Sequence, residues 1–128
     1  LNHPNVVTVH DVGESGGVHY LTMEYMDRGS LEDRVAKQGP LHWRAALDAL
    51  YDAASGLVYA ESRGIVHRDI KPDNLMQNHT GATKIADLGL ATSENDAASH
   101  GEGKIFGTPH FISPEQVRGE KADCRSDL

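Results

Sequence analysis

The sequence contains a single cysteine and no long apolar run, and both features limit what the chain can be. Cys124 stands alone among 128 residues, so no disulfide can form within the chain and a reducing compartment is expected. No apolar stretch approaches the roughly 18 residues that a membrane-spanning helix requires, and no signal peptide is recognisable. We therefore expect a cytoplasmic segment that makes no membrane contact of its own.

Basic residues are also scarce. Twelve lysines and arginines stand against nineteen acidic residues, which gives a net charge of −7. This charge disfavours non-specific binding to nucleic acid or anionic lipid, so we expect no nucleic-acid partner. The length suits one domain. The chain opens on Leu1 without a methionine and stops at Leu128, and we expect it to be part of a longer protein.

Histidines are plentiful but do not form a metal-binding pattern. The chain has eight of them. Four lie in the first third of the chain: His3, His10, His19 and His42. None of these has a second histidine three or four residues away, and no cysteine cluster accompanies them, so a structural metal site is disfavoured.

The first part of the chain predicts a β-hairpin followed by a short helix. Residues 5–12 and 18–26 are rich in β-branched and aromatic side chains, and the "GESGG" of residues 13–17 supplies turn residues between them. Residues 29–37 predict a short helix that ends near Gly39 and Pro40.

The middle of the chain carries the clearest helical periodicity. The apolar residues that recur at this spacing are Trp43, Ala46, Leu47, Leu50, Ala54, Leu57 and Val58. We interpret this stripe as the face that packs on the core. Arg63 is expected in the last turn, and Gly64 is expected as a left-handed C-cap.

A strand at residues 74–77, a turn at 78–81 and a strand at 82–87 are predicted next. Residues 88–110 are polar and lack a strong period, which predicts a long loop. Loops of that length are usually functional.

The octet "HRDIKPDN", residues 67–74, concentrates charged and amide groups around one proline. Pro72 fixes its own φ and steers Lys71 away from helix, so the segment is predicted to be an extended or turning loop. Asp69 can accept a proton or orient a hydroxyl, and Lys71 can place a positive charge nearby. Asn74 offers an oxygen that a hard cation accepts.

A second carboxylate follows at Asp87, where an apolar strand ends before Leu88 and Gly89. Such a carboxylate can hold Mg²⁺. Taken alone, an aspartate after a strand is more often a cap or turn residue, and an isolated His-Arg-Asp is usually a surface feature. The ordered combination of His-Arg-Asp, Asn74, Asp-x-Gly and a later Pro-Glu is far more specific.

This combination resembles the eukaryotic-type serine/threonine protein kinase family, and the style of residues 107–127 is similar to bacterial members. The segments that carry the resemblance are "HRDIKPDN" (67–74), "ADLGLA" (86–91), "GTPHFISPE" (107–115) and "DCRSDL" (123–128). The resemblance implies an α+β fold and a partial catalytic domain over residues 1–128. Residues 1–26 would supply a β-hairpin from the rear of the N-lobe up to the hinge. Residues 27–128 would supply the front half of the mainly helical C-lobe, with the catalytic loop and activation segment.

The resemblance also implies roles for five polar residues. Asp69 would accept or orient the substrate hydroxyl, and Lys71 would neutralise charge on the phosphoryl group in transit. Asn74 and Asp87 would hold the two Mg²⁺ ions that bridge the phosphates. Thr108 would bridge Asp69 and Lys71, as is typical of the serine/threonine branch.

The implied nucleotide is ATP, with Mg²⁺. Met23 matches the residue at the back of the adenine pocket, and the backbone of Glu24 and Met26 would bind the adenine edge. Met76 would form the floor under the purine, and Asp73 is counted among the residues near the nucleotide. For Met23 and Met76, plain core packing is the alternative.

Further positions take family roles by resemblance. Arg68 would pair with a phosphate on the activation segment, although the usual phosphosite is occupied by Lys104. The remaining candidates there are Thr92, Ser93, Ser99 and the constitutive anion Glu102. His67 would pack internally, Asp127 would brace the backbone of the catalytic loop, and Glu115 would pair with an arginine further along the chain.

The implied function is ATP-dependent phosphoryl transfer to serine and threonine hydroxyls of protein substrates, in the cytoplasm or in the cytoplasmic part of a membrane-anchored kinase. A pseudokinase or scaffold that keeps the fold without transfer is the alternative. The sequence does not fix the substrate protein, the upstream signal or the oligomeric state.

A Gly-rich phosphate loop, a strand-3 lysine and a helix C glutamate are not found in the 128 residues. Half of the phosphate clamp is therefore missing from this polypeptide. We expect the polypeptide, assayed by itself, to show no phosphoryl transfer above that of an Asp69→Ala control.

Overall fold

The computed structural model of the chain describes residues 1–88 and 108–128. The helices and strands are β1 (Val9–Ser15), β2 (Val18–Met23), α1 (Leu31–Gln38), α2 (Trp43–Glu61), β3 (Leu75–Gln77), β4 (Thr83–Ile85) and α3 (Pro114–Val117). Two 3₁₀ turns, Pro72–Asn74 and Cys124–Asp127, complete the regular structure of this part. The predicted α+β class is confirmed. Within the described ranges, no helix combines the length and apolar character needed to cross a membrane.

The first hairpin is confirmed, but its first strand begins later than predicted. β1 pairs with β2 in antiparallel register, and the turn is made by Gly16 and Gly17 alone, both at positive φ. Residues 5–8 lie outside β1 because they run beside β4 instead. Val7 N donates to Ile85 O at 2.9 Å, and Ile85 N donates to Asn5 O at 2.9 Å.

Helix α1 begins two residues later than predicted and ends next to Gly39, as predicted. Ser30 caps the N-terminus, with its hydroxyl accepting from the backbone N–H of Asp33 at 3.1 Å. Gly39, at φ +81, follows the last residue. Lys37 lies in the last turn, where its charge complements the helix dipole.

The predicted core face of α2 is confirmed only in part within the described residues, where Leu57 packs against the core cluster. Four other large apolar side chains of the stripe are exposed to solvent: Trp43 at 59%, Leu47 at 55%, Leu50 at 60% and Val58 at 66%. The helix ends at Glu61, so Arg63 lies just beyond it, and Gly64 does adopt the predicted positive φ of +69.

Helix α2 is most deeply buried on a face of small residues, about 110° around its axis from the middle of the stripe. The buried positions are Ala49, Ala53, Gly56 and Ala60. A Cβ built on Gly56 would lie 2.7 Å from Asn5 O and 3.0 Å from Ile85 Cδ1. The absence of a side chain therefore lets the helix backbone approach residue 5 and β4 directly.

The second hairpin, β3 with β4, packs on this small face. It also brings residues 67–74 close to Asp87. Asn78 closes the turn by accepting hydrogen bonds from the backbone N–H groups of Thr80 and Ala82, each at 3.1 Å. The octet loop, our name for residues 67–74, leads into β3, and Asp87 follows β4. The predicted loop of residues 88–110, including Lys104 and the candidate phosphosites, falls mostly outside the described residues.

Candidate active site

Asp69, Lys71 and Thr108 form a closed triangle of hydrogen bonds. Asp69 Oδ1 accepts from the Thr108 backbone N–H at 2.9 Å and from its hydroxyl at 2.8 Å. Asp69 Oδ2 accepts from Lys71 Nζ at 2.9 Å. Lys71 Nζ also donates to Thr108 Oγ1 at 2.7 Å. Two groups of the octet and a threonine almost forty residues later in the sequence thus meet at one point.

The charges of Asp69 and Lys71 stabilise each other. Burial alone would raise the pKa of Asp69, but hydrogen bonds from Lys71 and Thr108 outweigh it and leave the pKa lowered. The pKa of Lys71 is raised, chiefly by its hydrogen bond to Asp69 and further by the charges of Asp69, Asp73 and Asp87. Asp69 is therefore an ionised carboxylate at neutral pH, suited to orienting a hydroxyl.

Asn74 lies directly beside this triangle. Its side chain is buried, and Nδ2 donates to Asp69 O at 2.8 Å and to Asp69 Oδ2 at 3.3 Å. These contacts assign the amide nitrogen to Asp69. The amide oxygen is then the atom of Asn74 that can bind a cation.

Backbone contacts on both sides of Ala86 place Asp87 next to the octet loop. Ala86 N donates to Asn74 O at 2.9 Å. His67 Nδ1 accepts from Asp69 N at 3.2 Å, so the imidazole proton is on Nε2, which donates to Ala86 O at 2.9 Å. Asp87 follows at φ +60 with an exposed side chain, and its charge contributes to raising the Lys71 pKa.

The donor chemistry of Asn74 and Asp87 suits a hard cation that retains other ligands. Over residues 1–88 and 108–128, no three His, Cys, Asp or Glu side chains are grouped so as to hold a metal ion. An amide oxygen and a carboxylate from two segments match Mg²⁺, which usually keeps waters and binds substrate phosphates as well.

Arg68 adopts a left-handed conformation that neighbouring side chains hold in place. Its φ is +68. The buried carboxylate of Asp127 accepts from His67 N at 2.7 Å and from Arg68 N at 2.6 Å, so the predicted brace is confirmed. Gln116 Nε2 donates to Arg68 O at 2.8 Å, a contact that sequence reasoning missed. Arg68 Nε is buried without a hydrogen-bond partner in the described part of the chain.

Glu115 has a partner that the sequence did not suggest. Its carboxylate accepts a hydrogen bond from the hydroxyl of Ser126, and this bond is the main reason that its pKa is lowered. The arginine partner expected from the family resemblance stays a prediction.

The candidate nucleotide-binding residues are only partly brought together. Met26 is buried with Val7 and Ala86, and Met76 packs against this cluster. Met23 lies at the end of β2 and is 41% exposed, so it is not packed in the core within the described residues, and its place at the back of an adenine pocket stays a prediction.

The side chain of Glu24 ties the end of β2 to β4, a role that sequence reasoning missed. Both of its oxygens accept from Lys84 Nζ at 2.8 Å, and Oε1 also accepts from Thr8 N at 2.7 Å. Burial would raise the pKa of Glu24, but these hydrogen bonds prevail and lower it. A lysine two residues before Ala86 gave no local signal, because its partner lies sixty residues earlier.

Replacing Lys84 with methionine is expected to destabilise the fold by roughly 1–3 kcal/mol at neutral pH, between the values typical of exposed and buried ion pairs. Because the folded pKa of Glu24 is lowered, its contribution is present above the unfolded value of 4.5 and is lost as the pH falls through the folded value. The difference from wild type should therefore shrink in acid.

Urea unfolding at neutral pH and at about pH 4 measures this difference. Lys37→Met is the matched control, because Lys37 pairs with Asp33 at 3.8 Å on an exposed surface, and it should change stability by less than about 0.5 kcal/mol. Equal losses for the two variants at neutral pH would contradict the expectation.

Comparison with known proteins gives a consistent result over the whole chain. The protein kinase domain family matches residues 1–128. The serine/threonine-protein kinase PrkC of Bacillus subtilis is 38% identical over 128 residues, covering all of this chain and 20% of that protein. The serine/threonine-protein kinases PknB of Mycobacterium leprae and of Mycolicibacterium smegmatis are each 40% identical, covering all of this chain and 21% of each protein.

The chain spans about a fifth of the length of the curated relatives it matches. The triangle at Asp69, the adjacent Asn74 and the brace from Asp127 occupy the motif positions on which the resemblance depended. With a family match over its full length, the chain belongs to the protein kinase domain family.

Proposed function

We propose that the protein containing this chain transfers the γ-phosphoryl group of ATP to serine and threonine hydroxyls of protein substrates. The observation that carries the proposal is the triangle of Asp69, Lys71 and Thr108, with Asn74 hydrogen-bonded to the same carboxylate. The names of the relatives, serine/threonine-protein kinases, support the same reaction. A cytoplasmic location is part of the proposal and agrees with the single cysteine.

In the proposed reaction, the substrate hydroxyl donates a hydrogen bond to the Asp69 carboxylate and its oxygen faces the γ-phosphorus. A bond forms between that oxygen and phosphorus, the bond to the ADP oxygen breaks, and the hydroxyl proton passes to Asp69. In a loose transition state, the position of the proton-accepting group matters more than its basicity. A carboxylate of lowered pKa is therefore suitable. Lys71, held by Asp69 and Thr108, supplies positive charge where phosphoryl oxygens gather.

We further propose that the amide oxygen of Asn74 and the carboxylate of Asp87 hold Mg²⁺ together with the ATP phosphates. When bound, the metal neutralises phosphate charge and fixes the phosphate geometry. Three features support this assignment. Asn74 Nδ2 is hydrogen-bonded to Asp69, which leaves the amide oxygen available. The carboxylate of Asp87 is exposed, and the backbone of the preceding Ala86 is fixed by hydrogen bonds to Asn74 and His67.

For the adenine, we propose backbone contacts at Glu24 and Met26, with Met76 under the ring. Met26 and Met76 share a cluster with Ala86, so the base would lie close to the segment that carries Asp87. We keep Met23 and Asp73 as candidates near the nucleotide, Asp73 because its charge acts on Lys71.

The test is an assay of phosphoryl transfer from ATP and Mg²⁺ to unstructured peptides that contain serine, threonine or tyrosine, with the full-length protein as enzyme. Phosphoserine and phosphothreonine should form, and an Asp69→Ala variant should not produce them at a comparable rate. Transfer to tyrosine alone, or equal rates for wild type and variant, would refute the proposal.

A further inference from the structure

The peptide group that joins Arg68 to Asp69 is held at both of its polar ends. Gln116 Nε2 donates to Arg68 O at 2.8 Å, and Asp69 N donates to His67 Nδ1 at 3.2 Å. A peptide group is planar, so fixing its oxygen and its N–H fixes the whole plane. The Cα of Asp69 lies in that plane, so the point at which the Asp69 side chain leaves the backbone is fixed as well.

The Arg68 turn needs such support. A side-chain-bearing residue at φ +68 carries about 1 kcal/mol or more of strain, and it persists only where surrounding contacts impose it. Asp127 accepts from the N–H groups of His67 and Arg68, which belong to the two peptides before the strained residue. Gln116 binds the peptide after it, so the two side chains hold different parts of the turn.

Gln116 is itself firmly oriented. Its side chain is buried, and its Oε1 accepts from Ser113 N at 3.2 Å and from Ser113 Oγ at 3.0 Å at the start of α3. With the amide oxygen held by Ser113, the amide nitrogen must face Arg68 O.

The neighbouring residue anchors the same short helix on a second side. Glu115 accepts from Ser126, and Ser126 precedes Asp127 in the chain. Three hydrogen bonds therefore connect three segments of the chain in a closed ring. They join Glu115 to Ser126, Asp127 to Arg68, and Arg68 to Gln116.

We propose that Gln116 is a positioning residue, which fixes the backbone position of Asp69 through its hydrogen bond to the Arg68 carbonyl. This inference rests on the proposed function and deepens it. Loss of the donor should lower kcat, because a small displacement of a reacting group has a large effect on rate. The KM for ATP should change little, since Met26 and Met76 lie in a separate cluster with Val7 and Ala86.

The decisive variant is Gln116→Glu in the full-length protein. It keeps the side-chain shape and an acceptor for Ser113, but it places an oxygen against Arg68 O. We expect kcat to fall roughly 10- to 100-fold, with the KM for ATP within about twofold of wild type. Gln116→Met, of similar length and uncharged, removes the donor without adding charge, and it decides the question if the glutamate variant does not fold.

Gln38→Glu is the matched control, since it makes the same change on the exposed last turn of α1, and its kcat should equal that of wild type. Hydrogen exchange at the amides of residues 67–70 gives a second readout that does not depend on activity. Faster exchange together with the fall in kcat supports the inference, and kcat within twofold of wild type in the folded Gln116 variant overturns it.

If wild type is no faster than Asp69→Ala, the proposed function fails and hydrogen exchange alone decides the role of Gln116. In that case faster exchange in the variant still supports the positioning contact. Unchanged exchange overturns it.

Discussion

Asp69→Ala is expected to lower kcat for phosphoryl transfer by roughly 10²- to 10⁴-fold, the range typical of a lost general base. The variant removes the only carboxylate that accepts from both Lys71 and Thr108 in the described residues. The substrate hydroxyl then loses its acceptor, and Lys71 loses one of the two partners that hold its ammonium group. Steady-state assays of the full-length protein, with ATP and peptide varied in turn, measure the change.

The KM for ATP should stay within a few fold of wild type in this variant, because the residues proposed to contact adenine lie around Met26 and Met76. Asp48→Ala is the matched control, since it removes a carboxylate from the exposed surface of α2 and should leave kcat unchanged. If Asp69→Ala retains more than about a tenth of the wild-type kcat, Asp69 does not have the role assigned to it.

Local sequence signals predicted the parts of the fold that depend on neighbouring residues. The end of α1 next to Gly39 was predicted, because a glycine can adopt the positive φ that often follows a helix. Gly64 adopts positive φ for the same reason. Pro72 prevents Lys71 from joining a helix, so the octet forms a loop around a 3₁₀ turn.

The face of α2 could not be predicted from periodicity alone. The helix carries a face of large apolar residues and a face of small ones, and both repeat at helical spacing. In the described chain, the small face is the more deeply buried one, because Gly56 lets the helix approach the backbone at Asn5. Which face is buried thus depends on a contact between residues about fifty positions apart, which no local pattern contains.

In the candidate site, too, residues within one short segment were predicted and long-range contacts were not. Asp69, Lys71 and Asn74 were found because a short segment brings them together, and Thr108 was found only through resemblance to a family. The contacts of Glu24 with Lys84 and of Gln116 with Arg68 were missed. In both contacts, a side chain binds a charged group or a backbone carbonyl that is far away in the sequence. The residues next to it in the sequence give no indication of that contact.

Asp127→Ala is expected to destabilise the fold by roughly 3–5 kcal/mol, since it removes two hydrogen bonds to a charged acceptor inside the protein. The N–H groups of His67 and Arg68 would lose their acceptor, and the strain of Arg68 would no longer be opposed from that side. Because Asp69 follows this turn directly, kcat should also fall, by about 100-fold or more, at temperatures where the variant remains folded.

Asp123→Ala is the natural comparison, since Asp123 caps the 3₁₀ turn that ends with Asp127 and has its own carboxylate contacts. Its oxygens accept from Arg125, which lowers its pKa to about 2, and they do so at the exposed surface. That variant should lose only a cap at the exposed surface, so its stability should fall much less than that of Asp127→Ala, and it should keep its kcat. Thermal unfolding and transfer assays on both variants separate the two carboxylates. If Asp127→Ala is no less stable than Asp123→Ala, or is destabilised without any loss of kcat, the Arg68 turn does not depend on Asp127 for its catalytic geometry.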